Sequence, residues 1–416
     1  MDLAAWLERL EQLHPSAIDL GLARCGEVAQ RLELLNTCAT TITVAGTNGK
    51  GSTVAVMEAI LSASGVRVGA FTSPHLVRYN ERIRVDGAEV SDELIVEAFE
   101  AIDQARATVS LSYFEFNTLA ALWIFKKLDV TFQLLEVGLG GRLDAVNIID
   151  ADVAVVTAIG LDHQEWLGAD VETIALEKCG ITRDGRPCVV ADSAAPASVS
   201  SELQRIGAHE ILALRDYVYD ETQFKSTDNE AIDWSLPAGV LPLNAAAGLI
   251  ALETAGIGIN EEIVAAGMGS IVLNGRRESL QLGNIDIVLD VAHNPDAAVE
   301  LAKFLDRQPA VQTTTAIFAV MSDKDCRDMI VAVEPFIDQW YLPTGVGGER
   351  GQSPEVVAGF ISGTAHVKST FESAFEGALG SLVDGGRLIV FGSFFTVGEG
   401  IKALECLRLA QPDDQT

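Results

Sequence analysis

Short apolar runs alternate with amphipathic segments in the first half of the chain, from Thr41 onward. The strand candidates are TITVAG, RVGAFT, FQLLEVG, VAVVTAIG and PCVVA, and helical spacing of apolar positions lies between them, in residues 53–64, 92–107 and 116–127. Before them, MDLAAWLERLEQLHP is predicted to form an amphipathic helix. Strands separated by helices favour right-handed βαβ units and a mainly parallel sheet, in which ligands bind beyond the carboxyl ends of the strands.

The pattern changes in the second half of the chain. From about residue 193 it loosens, and VYDETQFKSTDNEAIDWSLP predicts an antiparallel excursion or long loops. Two helices begin near Asn244 and Asn260, and the polar, glycine-bearing segment LNGRRESLQLGN is expected to be a linker. A second alternating series then runs from IDIVLDVAH, through a helix from Pro295 to about Asp306, to GRLIVFGSF. It predicts a second, smaller α/β domain from about Ile285.

A glycine-bearing loop follows the first predicted strand, in TITVAGTNGKGSTVAVMEAIL. Strand, glycine loop and helix in this order are typical of phosphate-binding loops, in which backbone N–H groups and a lysine hold the phosphates. The spacing differs from the common motif. In AGTNGKGST two residues, and not four, separate the first glycine from the Gly-Lys pair, and Gly51 stands between Lys50 and Ser52. From these residues alone, a phosphate site and a tight turn are both open.

Polar residues follow the other predicted strands. Ser73 follows RVGAFT, Glu136 ends FQLLEV, and His163 follows VAVVTAIGLD. Together with Lys50 they place a cation, a hydroxyl, a carboxylate and an imidazole at one rim of the sheet. This set predicts a nucleotide and magnesium site, although imidazole is a less usual ligand for that hard ion. Each residue alone also fits a surface or turn position.

Several other candidates have ordinary structural interpretations. Lys178, in LEKCG, fits capping of a helix that Gly180 ends, and Asn294 fits a helix N-cap. Asp290 and His293 stand at the end of a predicted strand, which makes them better candidates for ligand contact than Asn294.

Composition narrows the possible functions. The 416 residues suffice for two or three domains, and 48% hydrophobic with 21% charged residues indicate a soluble globular protein. No apolar run approaches the roughly 20 residues of a membrane span, so a cytoplasmic location without a membrane partner is expected. The net charge of −30, with no basic patch, argues against nucleic acid as a partner. The six scattered cysteines suit reduced thiols and offer no zinc site.

Taken together, the motifs resemble one enzyme family. In chain order they are AGTNGKGST, TSPHLVRYNERIRVDG, YFEFNTLAAL, EVGLGGRLDAVNIID, LDHQEWLG, EKCGI, LDVAHNPDA, MSDKD and GSFFTVGE. This ordered set, which covers nearly the whole chain, resembles the bifunctional dihydrofolate synthase/folylpolyglutamate synthase family of the Mur ligase superfamily. The compressed loop spacing is similar to the variant found in that family.

The resemblance implies the fold class and its division. It implies an α/β protein with a larger N-terminal P-loop-type ATP-binding domain, built on a mainly parallel sheet, and a smaller C-terminal Rossmann-like α/β domain. Residues 1–276 would form the ATPase and pteroate- or folate-binding domain, and residues 284–416 would form the glutamate-ligase domain.

The resemblance also implies a reaction. The carboxylate of dihydropteroate, or of a reduced folate, would attack the γ-phosphate of ATP to give an acyl phosphate. The amine of L-glutamate would then displace phosphate and form an amide. Such chemistry needs charge neutralisation and positioning, which a lysine, Mg²⁺ and loop N–H groups supply.

Roles for individual residues follow from the matching motifs. The implied ATP contacts are Thr47, Asn48, Gly49, Lys50, Gly51, Ser52, Asn244, Arg276 and Asp290. The implied ligands of Mg²⁺, at two sites, are Ser73, Glu136, His163 and a carbamylated Lys178. The implied catalytic residues are Lys50, Glu136, His163 and Lys178. The implied substrate contacts are Asp19 and Leu20 in HPSAIDLGLARC, together with Phe114, Leu143, Asp144, Ala145 and His293.

Two positions depart from the family pattern. NGRRES stands where the family usually has Gly-Arg followed by an aromatic residue, so the choice between Arg276 and Arg277 stays open. Cys179 replaces a more usual small residue in EKCG, and is expected to be accommodated by packing.

Other functions use fewer of these residues. Folylpolyglutamate synthase alone, or a Mur-type ligase of another acceptor, would share the ATP chemistry. A peptidoglycan-precursor ligase is expected to need a further N-terminal domain, for which the roughly forty residues before the loop leave no room. A P-loop kinase or regulatory NTPase would leave His163 and Lys178 unused, and a non-catalytic scaffold would not need the polar strand ends. Family precedent implies a monomer.

Overall fold

The structure is a computed structural model that describes residues 1–14, 19–227, 230–382 and 385–410. The chain divides into two compact units. The first unit comprises Met1–His75 and Tyr79–Ile271, and the second comprises Leu76–Arg78 and Val272–Thr416. The predicted functional domains, 1–276 and 284–416, stay predictions.

The first unit is built on one large, mainly parallel sheet. Counted over the described residues, it has eight strands in the order β4-β3-β2-β5-β1-β6-β7-β8, with β3 and β4 antiparallel to their neighbours. The strands are β1 (Thr40–Ala45), β2 (Val68–Phe71), β3 (Ile83–Val85), β4 (Ala88–Glu89), β5 (Phe132–Glu136), β6 (Val153–Val156), β7 (Pro187–Val190) and β8 (His209–Leu212). Strands β1, β2 and β5 are almost completely buried, as is typical of parallel strands covered on both faces.

Helices surround this sheet. They are α1 (Leu3–Gln12), α2 (Ala23–Arg31), α3 (Lys50–Ala63), α4 (Asp92–Arg106), α5 (Tyr113–Lys127), α6 (Gln164–Leu167), α7 (Val171–Cys179), α8 (Ala197–Ile206), α9 (Pro242–Thr254) and α10 (Glu261–Ser270). Ser112 begins α5 with a capping box, because its side chain accepts the Glu115 N–H and the Glu115 carboxylate accepts the Ser112 N–H. Short 3₁₀ turns lie at Tyr79–Arg82 and Ala145–Ile148.

The predicted mainly parallel α/β architecture of this half is confirmed. Each of the five strand candidates contains a strand, although VAVVTAIG yields only the four residues of β6. The polar stretch does form an antiparallel sheet, from β9 (Tyr217–Tyr219), β10 (Gln223–Ser226) and β11 (Ile232–Asp233), with its residues 228 and 229 outside the described part. Helix α3 begins three residues before the predicted start at Thr53, inside the glycine loop.

The second unit is a smaller α/β sandwich of helices on a six-stranded sheet, counted over the described residues. Its strands are β12 (Glu278–Leu282), β13 (Ile285–Asp290), β14 (Thr314–Phe318), β15 (Gln339–Pro343), β16 (Thr364–Lys368) and β17 (Arg387–Phe391). Its helices are α11 (Pro295–Asp306), α12 (Cys326–Val333), α13 (Pro354–Ala358), α14 (Phe371–Ser381) and α15 (Phe394–Ala410), and 3₁₀ turns lie at Glu334–Phe336 and Gly348–Arg350. The order β12-β13-β17-β14-β15-β16 is parallel except for β12.

The linker prediction for LNGRRESLQLGN is wrong in its second half, because this half forms β12. Ser279 and Gln281 are exposed, whereas Leu280 and Leu282 are half-buried and pack on the core of this unit. This alternation belongs to an edge strand with one solvated face, and β12 pairs antiparallel with β13. Within the described ranges no helix has the length and apolarity that a bilayer crossing requires.

Candidate active site

Four neighbouring parallel strands of the first unit carry predicted site residues at their carboxyl ends. Strands β2, β5, β1 and β6 lie side by side in the sheet, and each pair is parallel. Ser73 follows β2, Glu136 ends β5, the glycine loop follows β1, and His163 lies beyond β6. The structure therefore places these residues at one edge of the sheet, and their roles stay predictions.

Two glycines of the loop are required by the close approach of other chain segments. A Cβ atom on Gly46 would lie 1.7 Å from Thr157 Oγ1, and one on Gly49 would lie 2.4 Å from Asn244 Oδ1. Gly49 also has a φ of 92°, in the left-handed region that favours glycine. The loop is thus an ordered turn, packed against the residue after β6 and against α9.

Residues after β6 hold the first half of this loop. The N–H groups of Thr47 and Asn48 donate to the Ala158 carbonyl at 2.7 and 3.4 Å. The Thr47 hydroxyl donates to the Gly160 carbonyl and accepts the Gly160 N–H, both at 3.0 Å. The protein itself uses these two N–H groups, so a contact of Thr47 or Asn48 with ATP, which stays a prediction, would need other atoms.

The second half of the loop is the first turn of α3. This helix begins at Lys50, and the Thr53 N–H donates to the Gly49 carbonyl at 2.9 Å. The helix supplies no carbonyl for the N–H groups of its first turn, among them those of Gly51 and Ser52. Such a helix terminus, with its positive dipole end, is suited to bind an anion such as phosphate.

The side chain of Lys50 folds back over the loop. Its Nζ donates to the carbonyls of Gly46 and Thr47 at 3.0 and 3.3 Å. In this position its charge acts on two buried groups from other elements, Asp144 and Lys178. The charge of Lys50 therefore influences a carboxyl group and an amine from two other elements.

Lys178 lies near the end of α7, but it is not an exposed capping lysine. Gly180 is the C-cap of α7, as predicted, while only 4% of Lys178 is exposed. Burial and the charge of Lys50 lower the pKa of Lys178 to about 7, and Asp162 acts in the opposite direction. An amine with such a pKa is substantially neutral, and therefore nucleophilic, near neutral pH.

Ser73 and Glu136 are in direct contact. The Ser73 N–H donates to Glu136 Oε2 at 3.0 Å, and only 2% of Glu136 is exposed. His163 has a φ of 50° and begins α6, and its N–H donates to Asp162 Oδ1 at 2.8 Å. A hydrogen bond to a side chain thus joins the exit of β2 to the end of β5, while the neighbouring Asp162 holds the backbone of His163.

The donor set fits a divalent cation that also takes oxygen ligands from a nucleotide. Among the described residues, no three His, Cys, Asp or Glu side chains form a metal-ligand group. A buried carboxylate on Glu136, a hydroxyl on Ser73 and an imidazole on His163 nevertheless lie at or beyond the ends of β5, β2 and β6. Magnesium keeps several waters and phosphate oxygens in its shell, so it needs few protein ligands.

Asp144 is the most strongly buried carboxylate of the predicted substrate side. It is 2% exposed, and it accepts N–H groups of Leu139 at 2.8 Å and Val146 at 3.1 Å. Burial raises the pKa of Asp144 to about 7, although these hydrogen bonds and the charge of Lys50 oppose the increase. Asp144 therefore fixes the turn that carries Leu143 and Ala145.

The segment at Asp19 meets this turn. The Gly21 N–H donates to the Leu143 carbonyl at 3.2 Å. Arg24 binds Asp19 through Nη1 at 2.7 Å and lies 3.2 Å from Glu115 Oε1. Leu143 is 42% exposed. The predicted loop HPSAIDLGLARC is thus joined to GRLDA, while its residues 15–18 lie outside the described part of the chain.

Phe114 completes this side. A Cβ atom on Gly138 would lie 2.6 Å from the Phe114 ring, and that ring lies 5.7 Å from the Phe71 ring between centroids. Phe114 is half-buried, so this residue keeps some exposure to solvent. An aromatic face and a buried carboxyl group are chemically suited to a flat heteroaromatic ring.

Three predicted site residues lie in the second unit. Asp290, at the end of β13, accepts the Ala292 N–H at 2.6 Å and the Arg277 N–H at 2.9 Å, and burial raises its pKa. Arg277 has a φ of 49°, and burial lowers its pKa while Asp290 opposes the decrease. Asp290 thus anchors the turn through Arg277, whereas the predicted ATP contact of Arg276 stays untested.

His293 is oriented by its own loop. Its Nδ1 lies 2.8 Å from the Val291 carbonyl, and its ring lies 5.5 Å from that of Phe394. Asn294 is the N-cap of α11, because its side chain accepts the Ala297 N–H at 2.9 Å. The capping interpretation of Asn294 is confirmed.

Sequence reasoning missed residues that reach the site from other elements. The charge of Asp162 raises the pKa of Lys178. Its position directly before His163, in the segment LDH, could have indicated a site residue. Arg84 forms a bidentate ion pair with Glu58, but these residues are 26 positions apart, and no motif connects them.

Comparison with known proteins gives consistent results. Residues 275–394 match the family model described as Mur ligase, glutamate ligase domain. The chain is 38% identical to dihydrofolate synthase/folylpolyglutamate synthase of Escherichia coli (strain K12), over 98% of this chain and 96% of that protein.

Solved structures agree with this relationship. E. coli FolC in complex with DHPP and ADP superposes with a TM-score of 0.94 at 38% identity, over 98% of this chain and 99% of that one. A bifunctional folylpolyglutamate synthase/dihydrofolate synthase with Mn, AMPPNP and L-glutamate bound gives a TM-score of 0.90 at 38% identity, over 97% of this chain and 98% of that one. The chain therefore belongs to the dihydrofolate synthase/folylpolyglutamate synthase family.

Proposed function

We propose that the chain is an ATP-dependent ligase that adds L-glutamate to dihydropteroate, forming dihydrofolate, and to reduced folates, forming polyglutamates. The observation that carries the proposal is the carboxyl edge of the parallel sheet, where Ser73, Glu136 and His163 follow or end neighbouring strands beside the glycine loop and the first turn of α3. The charged Lys50 and the N–H groups in the first turn of α3 favour bound anions, and ATP and a carboxylate acceptor are both anions.

The proposed reaction has two steps. An oxygen of the acceptor carboxylate attacks the γ-phosphorus of ATP, which forms an acyl phosphate and releases ADP. The amine of L-glutamate then attacks the acyl carbon, phosphate leaves with the attacking oxygen, and the nitrogen loses a proton. Lys50 and the first-turn N–H groups of α3 would hold the phosphates and balance their charge.

Mg²⁺ at two sites is part of the proposal. Ser73, Glu136 and His163 would hold it, and a carbamylated Lys178 would supply a further oxygen ligand. The ion would neutralise phosphate charge and polarise the phosphoryl group. Carbamylation needs a neutral amine, which the lowered pKa of Lys178 supplies, and the resulting anion would face the positive charge of Lys50.

The acceptor would lie on the Asp19, Phe114 and Leu143 side. The Gly21 to Leu143 hydrogen bond supports this assignment, because it joins the two predicted halves of this surface. We further propose that residues 1–276 bind ATP and the pterin, and that residues 284–416 supply the glutamate-ligase part. A monomeric, cytoplasmic enzyme completes the proposal, and sedimentation analysis of the purified chain tests the monomer.

ADP release tests the function when ATP, Mg²⁺ and L-glutamate are combined with dihydropteroate or a reduced folate in turn. Each acceptor is expected to stimulate release, and mass spectrometry is expected to find the glutamylated product. Release that ignores the pterin would overturn the folate function, and release with folate alone would leave only a folylpolyglutamate synthase. With ¹⁸O in the acceptor carboxylate, an acyl phosphate transfers one ¹⁸O to the released phosphate.

A further inference from the structure

Arg84 lies between α3, called the nucleotide helix below because its first turn is the proposed phosphate site, and the segment Thr72–Ser73 after β2, which carries a proposed metal ligand. It lies on β3, and its guanidinium contacts Glu58 in the middle of α3, with side-chain exposures of 21% and 7% for the two residues. The Arg84 Nε donates to both carboxylate oxygens of Glu58 at 3.2 and 2.9 Å, and Nη2 donates to Oε2 at 2.7 Å. This is a bidentate pair, the geometry that fixes orientation most strongly.

The other side of the same guanidinium reaches the exit of β2. The Arg84 Nη1 donates to Thr72 Oγ1 at 3.2 Å and to the Glu81 carbonyl at 2.9 Å. Thr72 is joined directly to Ser73, whose N–H donates to Glu136. One planar group thus connects α3 to the segment that carries a predicted metal ligand.

Electrostatics agree with this placement. Burial disfavours the charge of Arg84, but Glu58 and, more weakly, Glu136 overcome it and raise the pKa of Arg84. A buried ion pair contributes little more to stability than a well-packed apolar pair. The distinctive effect of such an ion pair is to fix the relative position of the elements that it joins. Here these elements are the nucleotide helix and the strand ends at Ser73 and Glu136.

We propose that Arg84 is a positioning residue that holds Ser73 and Glu136 in register with the nucleotide helix, so that metal and nucleotide bind together. The inference rests on the proposed metal-dependent function. It assigns a role to a side chain that would touch neither the nucleotide nor the reacting atoms. Two contacts define the role, Arg84 to Glu58 on the helix side and Arg84 to Thr72 on the loop side.

Two variants separate positioning from folding. An apolar replacement of Arg84 would leave Glu58 buried and unpaired. R84K keeps the positive charge, but an ammonium group cannot contact both Glu58 and Thr72 as the planar guanidinium does. T72V removes only the hydroxyl on the loop side and leaves the ion pair intact. R67Q is the matched control, because Arg67 stands just before β2 and its half-exposed side chain pairs with Asp86 at 4.0 Å, while its backbone carbonyl, which accepts from Thr131 and Phe132, is unchanged by the substitution.

The readout is Mn²⁺ binding to the full chain in the presence of a non-hydrolysable ATP analogue, followed by electron paramagnetic resonance. Mutation of a residue that orients metal ligands typically weakens metal binding 10- to 100-fold. We expect R84K and T72V to raise the Mn²⁺ dissociation constant by about 10-fold, and R67Q to leave it unchanged. Dihydropteroate KM should not change in any variant, and saturating Mg²⁺ should restore most of kcat.

The outcomes are distinct. Wild-type Mn²⁺ affinity in folded R84K and T72V would overturn the positioning role and leave the proposed ligase function intact. A loss of activity that saturating Mg²⁺ does not restore would also overturn it, because a smaller folded fraction lowers activity at every metal concentration. A wild-type chain that binds no Mn²⁺ with the analogue would overturn both the inference and the proposed metal site.

Discussion

The charge of Lys50 acts on the amine of Lys178, although Lys50 is the first residue of α3 and Lys178 lies in the last turn of α7. Burial and then this charge lower the pKa of Lys178 to about 7 from its ordinary 10.5. Because the folded chain disfavours the second positive charge, Lys178 is prepared either to stay neutral or to become an anion. This relationship distinguishes Lys178 from an ordinary lysine at a helix end.

Replacing Lys178 by alanine should therefore abolish activity. If the amine is carbamylated, Lys178→Ala removes an anionic ligand next to the phosphates, and we expect a fall in kcat of at least about 10²-fold. The wild-type rate should depend on bicarbonate, and it should fall as the pH drops below about 7, because the ammonium form does not react with CO₂. Steady-state ADP release with and without added bicarbonate measures both effects.

The matched control is Lys127→Ala. Lys127 is also in the last turn of its helix, but it pairs with Glu97 at the surface and is 38% exposed. This variant should turn over like wild type. If Lys178→Ala also did so, Lys178 would be a capping residue and the carbamylation proposal would be wrong.

Gly46→Ala tests the packing of the glycine loop. The new Cβ would lie 1.7 Å from Thr157 Oγ1, so the loop must move away from the residues that hold it. We expect a loss of stability of about 1–3 kcal/mol and an ATP affinity at least about 10-fold lower. Calorimetric titration with a non-hydrolysable ATP analogue and thermal unfolding measure the two effects separately.

A second substitution makes this test specific. Thr157→Ala removes the nearest clashing atom, so the double variant should recover part of the lost affinity, and a double-mutant cycle should give a favourable coupling. Gly258→Ala is the control, since a Cβ atom there meets open space. Strict additivity of the Gly46 and Thr157 substitutions would show that the steric argument is incorrect.

The sequence predicted the strand-end residues because β2, β5, β1 and β6 are short apolar runs, and a polar candidate ends the run or follows it before the next helix is established. Hydrophobic periodicity and turn residues are local signals, and they identify such elements well. The edge strand β12 was missed because its alternation, in ESLQL, is short and its neighbours are glycine-bearing. The side-chain environment of Lys178 was beyond local signals, since Lys50 lies 128 positions away in the chain.

The use of backbone donors was also not predictable. The glycine loop predicted that backbone N–H groups hold the phosphates, with Thr47 and Asn48 among the ATP contacts, yet the N–H groups of these two residues donate to Ala158. That pairing depends on a residue after β6, which only the order of strands in the sheet brings next to the loop. Motif spacing identified the loop, whereas tertiary structure determined which donors remain for a ligand.

Asp144 should make stability depend on pH. Its folded-state pKa, about 7, is above the ordinary 3.8, so between these values the folded chain binds more protons than the unfolded chain. Wild-type stability should therefore decrease as the pH rises from 4 to 7, by at most about 1.4 kcal/mol per pH unit. Asp144→Asn does not titrate, and it also loses one acceptor for the Leu139 and Val146 N–H groups, which costs about 1–3 kcal/mol.

Urea unfolding at pH 5 and pH 8 measures this effect. The difference in the free energy of unfolding between wild type and Asp144→Asn should be larger at pH 5 than at pH 8. Asp150→Asn is the control, because Asp150 is 77% exposed and lies in the same region of the chain. Equal differences at both pH values would mean that Asp144 is ionised throughout this range.

The side-chain amide of Asn244 is expected to contact the ligand and to contribute little to the stability of the fold. Its Oδ1 is buried with no hydrogen-bond partner among the described residues, next to Gly49 of the loop. Replacing an unsatisfied polar group by an apolar one is nearly neutral for stability. The free energy of unfolding of Asn244→Leu should therefore lie within about 1 kcal/mol of the wild-type value, yet this variant should bind an ATP analogue about 10-fold more weakly.

Thr43→Val is the matched control, because Thr43 Oγ1 in β1 is also buried without a partner in the described part of the chain. It should keep both stability and ATP affinity. If Asn244→Leu kept its affinity while losing several kcal/mol of stability, Asn244 would be a structural residue and its assignment to the ATP site would fail.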